Sequence, residues 1–179
     1  MIAVCVGHAR RGDTGAVAAD GMTTERVYNT DLAFKVAERL KEKALRCHVV
    51  CLYPAAMKWL AGELGRLGAT LAVELHFNSS HVRAATGHEW LYWAHSDAGR
   101  RLAGCLNTAM IRQFPDELPR GCKPVTRKDN GSGFVRLAPC PAVVAEPFFG
   151  SNPHDWDTVA AHPDRLAAAL AEGLARALT

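Results

Sequence analysis

The sequence predicts an α/β fold: a single domain built on a mostly parallel β-sheet flanked by α-helices. Three observations carry that expectation. Apolar runs of strand length recur at residues 2–6, 47–52, 70–77, 87–93 and 142–145. Between them lie segments whose apolar residues repeat at helical spacing. The resulting strand, helix, strand order implies parallel pairing through right-handed crossovers. A chain of 179 residues is long enough to bury one core without disulfides or metals as staples.

Taken in order, residues 2–6 form the first strand, which stops at Gly7-His8. The Gly-, Asp- and Arg-rich stretch 9–21 then reads as a loop over that strand's C-terminal end. A helix follows over 24–46, with Leu32, Ala33, Val36, Ala37, Leu40 and Ala44 as its apolar stripe and Glu25 in its first turn, where a carboxylate suits the helix N-terminus. The strand at 47–52 leads to a helix opened by Pro54, carrying Ala56, Trp59, Leu60, Leu64 and Leu67, and closed by Gly68. In the next strand, 70–77, alternation places Val73, Leu75 and Phe77 on one face and Glu74, His76 and Asn78 on the other.

A loop at 78–86 precedes an aromatic-rich strand at 87–93. Ser96 is the expected N-cap of a helix striped by Leu102, Ala103, Leu106, Ala109 and Met110. The segment 114–137 has Pro, Gly and five basic residues, Arg120, Lys123, Arg127, Lys128 and Arg136, with little periodicity, so it is expected to be a long functional loop. Its charges are read as a solvated face, with contacts to substrate carboxylates as the alternative. The last strand, 142–145, ends in Glu146, and a final helix begins near Pro163 and packs through Leu166, Leu170, Leu174 and Leu178.

Composition excludes several classes. A net charge of +3 without a concentrated basic helix or an aromatic RNA-binding motif argues against nucleic acid as partner. No stretch approaches the ~20 apolar residues of a membrane helix, so no membrane insertion is expected. The N-terminal apolar run lacks a preceding basic segment and reads as a strand rather than a signal peptide, which predicts synthesis in the cytoplasm. The six cysteines include no C-x-x-C pair and most are expected to be reduced, with a bridge between Cys122 and Cys140 left open. His81, His88 and His95 recur every seven residues, but across a loop and a strand, so no common face follows. Oligomeric state is not set by any of these features.

Three predicted strands end in a potential ligand or acid, His8, His76 and Glu146, and Glu25 begins the helix after the first loop. In a parallel sheet such ends share one edge. Two histidines and a carboxylate are a common ligand set for catalytic zinc, and a further carboxylate nearby can move a proton. A mononuclear zinc hydrolase and separate structural uses of the four residues both stand on this evidence.

Gly7-His8, Gly12-Asp13-Thr14-Gly15-Ala16, Glu25, Leu75-His76-Phe77-Asn78, and residues 141–146 with Ser151-Asn152 resemble, in order and over nearly the whole chain, the zinc-dependent N-acetylmuramoyl-L-alanine amidases. The resemblance implies a twisted, mostly parallel mixed sheet flanked by helices, and residues 1–179 as one amidase catalytic domain. It implies one zinc ion on His8, Glu25 and His76, Glu146 as the catalytic glutamate, and a substrate-binding or His76-orienting role for Asn78. The implied reaction is hydrolysis of the amide between N-acetylmuramic acid and the L-alanine of the stem peptide, with peptidoglycan or a muropeptide as partner.

Cell lysis after release to the wall is the expected setting, with cytoplasmic recycling of wall fragments as the alternative. A zinc-containing muropeptide-binding protein without turnover, and a zinc peptidase acting within the stem peptide, are the rival functions. The chain departs from the family pattern in three places: Ala9 follows His8 in place of Gly, Leu52-Tyr53 lacks the usual Arg, and Glu74 replaces a small hydroxyl residue. Glu74 shares a face with His76, either as its partner or as a rival carboxylate.

Overall fold

The computed structural model describes residues 1–9, 12–51 and 57–179. Its sheet contains β1 (Ile2–Val6), β2 (Cys47–Val50), β3 (Leu71–Leu75), β4 (His88–Trp93), β5 (Pro119–Val125) and β6 (Ala142–Glu146), in the spatial order β2-β1-β3-β6-β4-β5. The first, second, third and sixth strands run parallel; β4 is antiparallel to β6, and β5 is parallel to β4. The sheet is therefore mixed and mostly parallel. β1 and β3 are buried along their whole length, because central strands of such a sheet are covered on both faces and need apolar side chains throughout. Glu74 in β3 is the exception to that chemistry.

Helices α1 (Glu25–Glu42), α3 (Asp97–Gln113) and α6 (Pro163–Arg176) cover one face, and α2 (Met57–Arg66) and α4 (Ser132–Leu137) pack on the other. A short helix α5 (Pro153–Asp155) runs into a π-helical turn, Trp156–Ala160. Ser96 caps α3 as expected, its hydroxyl accepting from Gly99 N at 3.0 Å, and Thr24 caps α1, its side chain accepting from Val27 N at 3.5 Å. α3 and α6 cross closely at Gly173, where a Cβ would come within 2.8 Å of Leu106 Cα.

Several boundaries differ from the sequence expectation: β3 stops at Leu75 rather than 77, and α6 stops at Arg176, which leaves Leu178 exposed. α1 ends at Glu42 rather than near 46, because Ala44 adopts φ 58° and the N–H groups of Ala44 and Leu45 turn back to Lys41 O and Leu40 O. This is a Schellman closure with alanine in the place usually held by glycine, so no glycine marks it in the sequence. The segment 114–137 is not one loop, since it holds β5 and α4. β5 is an edge strand, where Pro119 and Pro124 are tolerated because one side needs no ladder donors. The expected opening of α2 at Pro54, and Ala56, lie outside the described residues. All six cysteines are free, which leaves no Cys122–Cys140 bridge. No helix among the described residues is long and apolar enough to cross a membrane.

Candidate metal centre and active site

β1, β3 and β6 are neighbours with Val4, Val73 and Val143 in register, so whatever follows each strand meets at one edge of the sheet. His8 stands two residues past β1, His76 one past β3, and Glu146 closes β6. His8 takes a left-handed backbone with φ 54°, a conformation that costs a non-glycine residue about 1 kcal/mol or more. Glu25 enters from the first turn of α1 and is 3% exposed.

Glu25 lies between the two imidazoles. Its Oε1 is 2.8 Å from His76 Nδ1 and its Oε2 is 3.3 Å from His8 Nε2, with the rings nearly perpendicular, at 77°, and 5.0 Å apart. The backbone N–H of Phe77 donates to Oε1 at 3.2 Å and that of Ala16 to Oε2 at 3.1 Å. Each ring also faces a carboxylate on its outer side: His8 Nδ1 meets Asp13 Oδ1 at 2.8 Å, and His76 Nε2 lies 3.4 Å from Glu74 Oε2. Two glycines make room for this arrangement. A Cβ on Gly7 would come within 2.5 Å of the His76 ring, and one on Gly15 within 2.6 Å of Glu25 Oε2.

The electrostatics divide the group. Burial pushes the Glu25 carboxyl up, but the bonds to His76 and His8 outweigh it and hold the group down at about 2. The His8 imidazole is pushed up, first by its bond to Glu25. Burial pulls His76 down, yet Glu25 and Glu74 together raise it well above the ordinary range. Glu146 goes the other way: burial pushes its carboxyl up to about 8, and its Oε2 has no hydrogen-bond partner among the described residues.

His8, Glu25 and His76 each offer one ligand atom, and these atoms lie within 4.8 Å of one another. The donor set is two imidazoles and a carboxylate, the nitrogen and oxygen ligands that zinc takes, and each imidazole has a nitrogen within 3.3 Å of a Glu25 oxygen. The residues fit such an ion.

Residues 2–176 match the family described as N-acetylmuramoyl-L-alanine amidase. The chain belongs to that family. Solved amidase structures share its fold. N-acetylmuramoyl-L-alanine amidase AmiC2 of Nostoc punctiforme is 20% identical with a TM-score of 0.85, covering 99% of this chain and 97% of that one. The catalytic domain of the amidase CwlV from Bacillus (Paenibacillus) polymyxa var. colistinus is 22% identical with a TM-score of 0.84, at the same coverages of 99% and 97%. The catalytic domain of CD27L endolysin targeting Clostridia difficile is 23% identical with a TM-score of 0.81, covering 98% of this chain and 96% of that one. No curated protein sequence matches the chain.

The structure of this amidase-family chain brings His8, Glu25, His76 and Glu146 to one edge and sets a second polar group beside them. Because β4 runs antiparallel to β6, the start of β4 lies where β6 ends, and Glu89 pairs directly with Glu146. Pro119 pairs with His88 and Gly121 with Glu89, so Arg120 is the extra residue of a bulge, the kind of irregularity that re-aims a side chain. Arg120 Nε donates to Glu89 Oε2 at 2.8 Å, and its guanidinium lies over the Phe149 ring at 5.0 Å.

Asn78 belongs to this rim: its Nδ2 donates to Glu89 Oε1 at 3.0 Å and its Oδ1 accepts from Ser79 N at 2.9 Å. The sequence marks Asp13 only as part of the Gly12–Ala16 motif, Arg120 only as one charge among five, and Glu89 not at all. The heptad histidines stay apart from the centre, with His88 buried in β4 and His95 against Trp93.

Proposed function

We propose that the chain hydrolyses the amide joining the lactyl group of N-acetylmuramic acid to the L-alanine of the stem peptide in peptidoglycan, with one zinc ion held by His8, Glu25 and His76. The observation that carries this reading is the pairing of a three-donor group with a neighbouring buried carboxyl, Glu146, whose Oε2 has no hydrogen-bond partner among the described residues. A protein that only bound muropeptides would have no use for an acid so placed.

Zinc held there supplies Lewis-acid polarisation of a carbonyl and acidifies water. Glu146 takes the proton of the attacking water and returns it to the departing amine. Asn78 and Arg120, both fixed by Glu89, bind substrate at the rim. The Arg120 side chain is 36% exposed, so its remaining N–H groups can meet a stem-peptide carboxylate. Family membership and the fold shared with an endolysin catalytic domain support action on the cell wall, and we place the activity in cell lysis.

The test is a digest of purified peptidoglycan by zinc-loaded and chelator-treated protein, followed by fragment masses. New L-alanine amino ends in the loaded sample alone are the expected result. Absence of new ends in both sinks the hydrolase reading, and if wild type and Glu146→Ala then bind muropeptide equally, the protein is a binder. Fragments cut between amino acids would make it a peptidase.

A further inference from the structure

The reaction as proposed leaves Glu74 without a role, although it is the carboxylate buried deepest in the sheet among the residues around the centre. It sits in β3 between Cys5 of β1 and Val144 of β6, its side chain is 2% exposed, and its Oε1 has no hydrogen-bond partner among the described residues. A carboxylate among such neighbours is costly unless an opposite charge or a donor offsets the lost solvation. The partner at hand is His76. Glu74 and His76 share a strand face by alternation, and Glu74 Oε2 lies 3.4 Å from His76 Nε2.

The other nitrogen of that ring, Nδ1, is already 2.8 Å from Glu25 Oε1. The two ring nitrogens point in divergent directions, so Glu74 stands behind His76 and outside the group formed by His8, Glu25 and His76. His8 is built the same way, with Nε2 toward Glu25 at 3.3 Å and Nδ1 toward Asp13 at 2.8 Å. Both imidazoles thus have one nitrogen on the shared carboxylate and a private carboxylate behind them.

We propose that Glu74 is a positioning residue that holds the His76 proton on Nε2, leaving the Nδ1 lone pair for a cation shared with Glu25 and His8. The inference rests on the metal reading given above. A carboxylate behind a ligating histidine fixes its tautomer and makes it a better donor, and losing such a partner typically weakens metal affinity about 10–100-fold. Glu74 is therefore a support for His76 and not a rival ligand.

Glu74→Gln and Glu74→Met separate this from mere packing, since the two side chains fill similar space but only Gln keeps an acceptor. Zinc affinity is measured in the full chain by competition with a chromophoric chelator, and the His76 tautomer in the loaded protein by nitrogen–proton NMR, assigned with His76→Ala. Glu74→Met is expected to lose about 10–100-fold in zinc affinity and the Nε2–H signature of His76, and Glu74→Gln to recover most of both. Metal-free melting within a few degrees of wild type is expected for both variants, because each fills the space of Glu74 between Cys5 and Val144 and His76 keeps Glu25 as its partner.

Zinc binding by Glu74→Met within about twofold of wild type, with the Nε2–H signature intact, overturns the positioning role while leaving the metal reading standing. A folded wild type that takes up no zinc overturns both.

Discussion

Glu25 and His76 are separated by 51 positions, yet Glu25 Oε1 and His76 Nδ1 meet at 2.8 Å. The contact joins the first turn of α1 to the end of β3, so it ties the position of a helix to the position of a ligand. Replacing Glu25 by Ala removes one proposed ligand and strands the N–H groups of Phe77 and Ala16. Leaving buried donors unsatisfied costs about 1–3 kcal/mol, so the metal-free protein should melt lower. Zinc affinity should fall by more than the ~10–100-fold typical of an outer partner. Thermal unfolding and chelator competition measure the two losses separately.

Glu146→Gln preserves shape while removing the proton carrier. Turnover of peptidoglycan should drop about 10²–10⁴-fold, the usual worth of a positioned acid or base. Zinc content should remain that of the wild type, because Glu146 lies outside the donor group. Stoichiometry by elemental analysis, taken alongside the rate, separates this from loss of metal.

Arg120 is held by Glu89 and by the Phe149 ring, so its free N–H groups are oriented before substrate arrives. A hydrogen bond to a charged group is worth roughly 1.5–3 kcal/mol, and Arg120→Ala should therefore raise KM about 10-fold or more with kcat nearly unchanged. Steady-state kinetics on muropeptides with free and amidated stem carboxylates check this, since the amidated substrate should be indifferent to the substitution.

The four residues that the sequence brings together are legible because they obey one rule: ligands gather at the C-terminal ends of parallel strands. His8, His76 and Glu146 stop apolar runs, and Glu25 follows the first loop. Glu89 and Arg120 reach the same edge against that rule, from the starts of β4 and β5, which run the other way. Nothing local in the sequence marks the reversal of β4, and a bulge is a property of pairing rather than of either strand alone. β5 was hidden for a related reason. Its prolines and glycine lower strand propensity, and only its place at the sheet edge makes them harmless. Ala44 conceals the end of α1 in the same fashion, by adopting a glycine conformation that its identity does not announce.

Zinc that binds the folded chain and not the unfolded one must stabilise it. At a free concentration 100 times Kd the gain is about 2.7 kcal/mol, which for a chain of this size raises Tm by about 5–10 °C. His8→Ala should abolish the increment while leaving the metal-free Tm within a few degrees, since alanine keeps a Cβ at the same left-handed position and leaves its strain unchanged. Scanning calorimetry with and without zinc reads both values. Equal Tm in the two conditions for wild type would remove the metal from the proposal.

His88 sets a pH dependence of stability that is independent of the metal. It is 0% exposed, its Nδ1 accepts from the indole N–H of Trp90 at 3.1 Å, and its Nε2 has no partner among the described residues. Burial lowers it from 6.5 to about 4, against a smaller opposing pull from Asp155, whose own oxygens accept from Thr86, Gly87 N and Phe149 N. Because the folded value lies below the unfolded one, the unfolded chain binds the extra proton between them. The stabilisation is complete above pH 6.5 and is lost as pH falls toward 4. At about 1.4 kcal/mol per pH unit the loss reaches about 3 kcal/mol. Urea midpoints across this range should fall with acidity in wild type. His88→Leu, which cannot take up the proton, should show a shallower acid limb; an unchanged slope would assign the acid sensitivity to other groups.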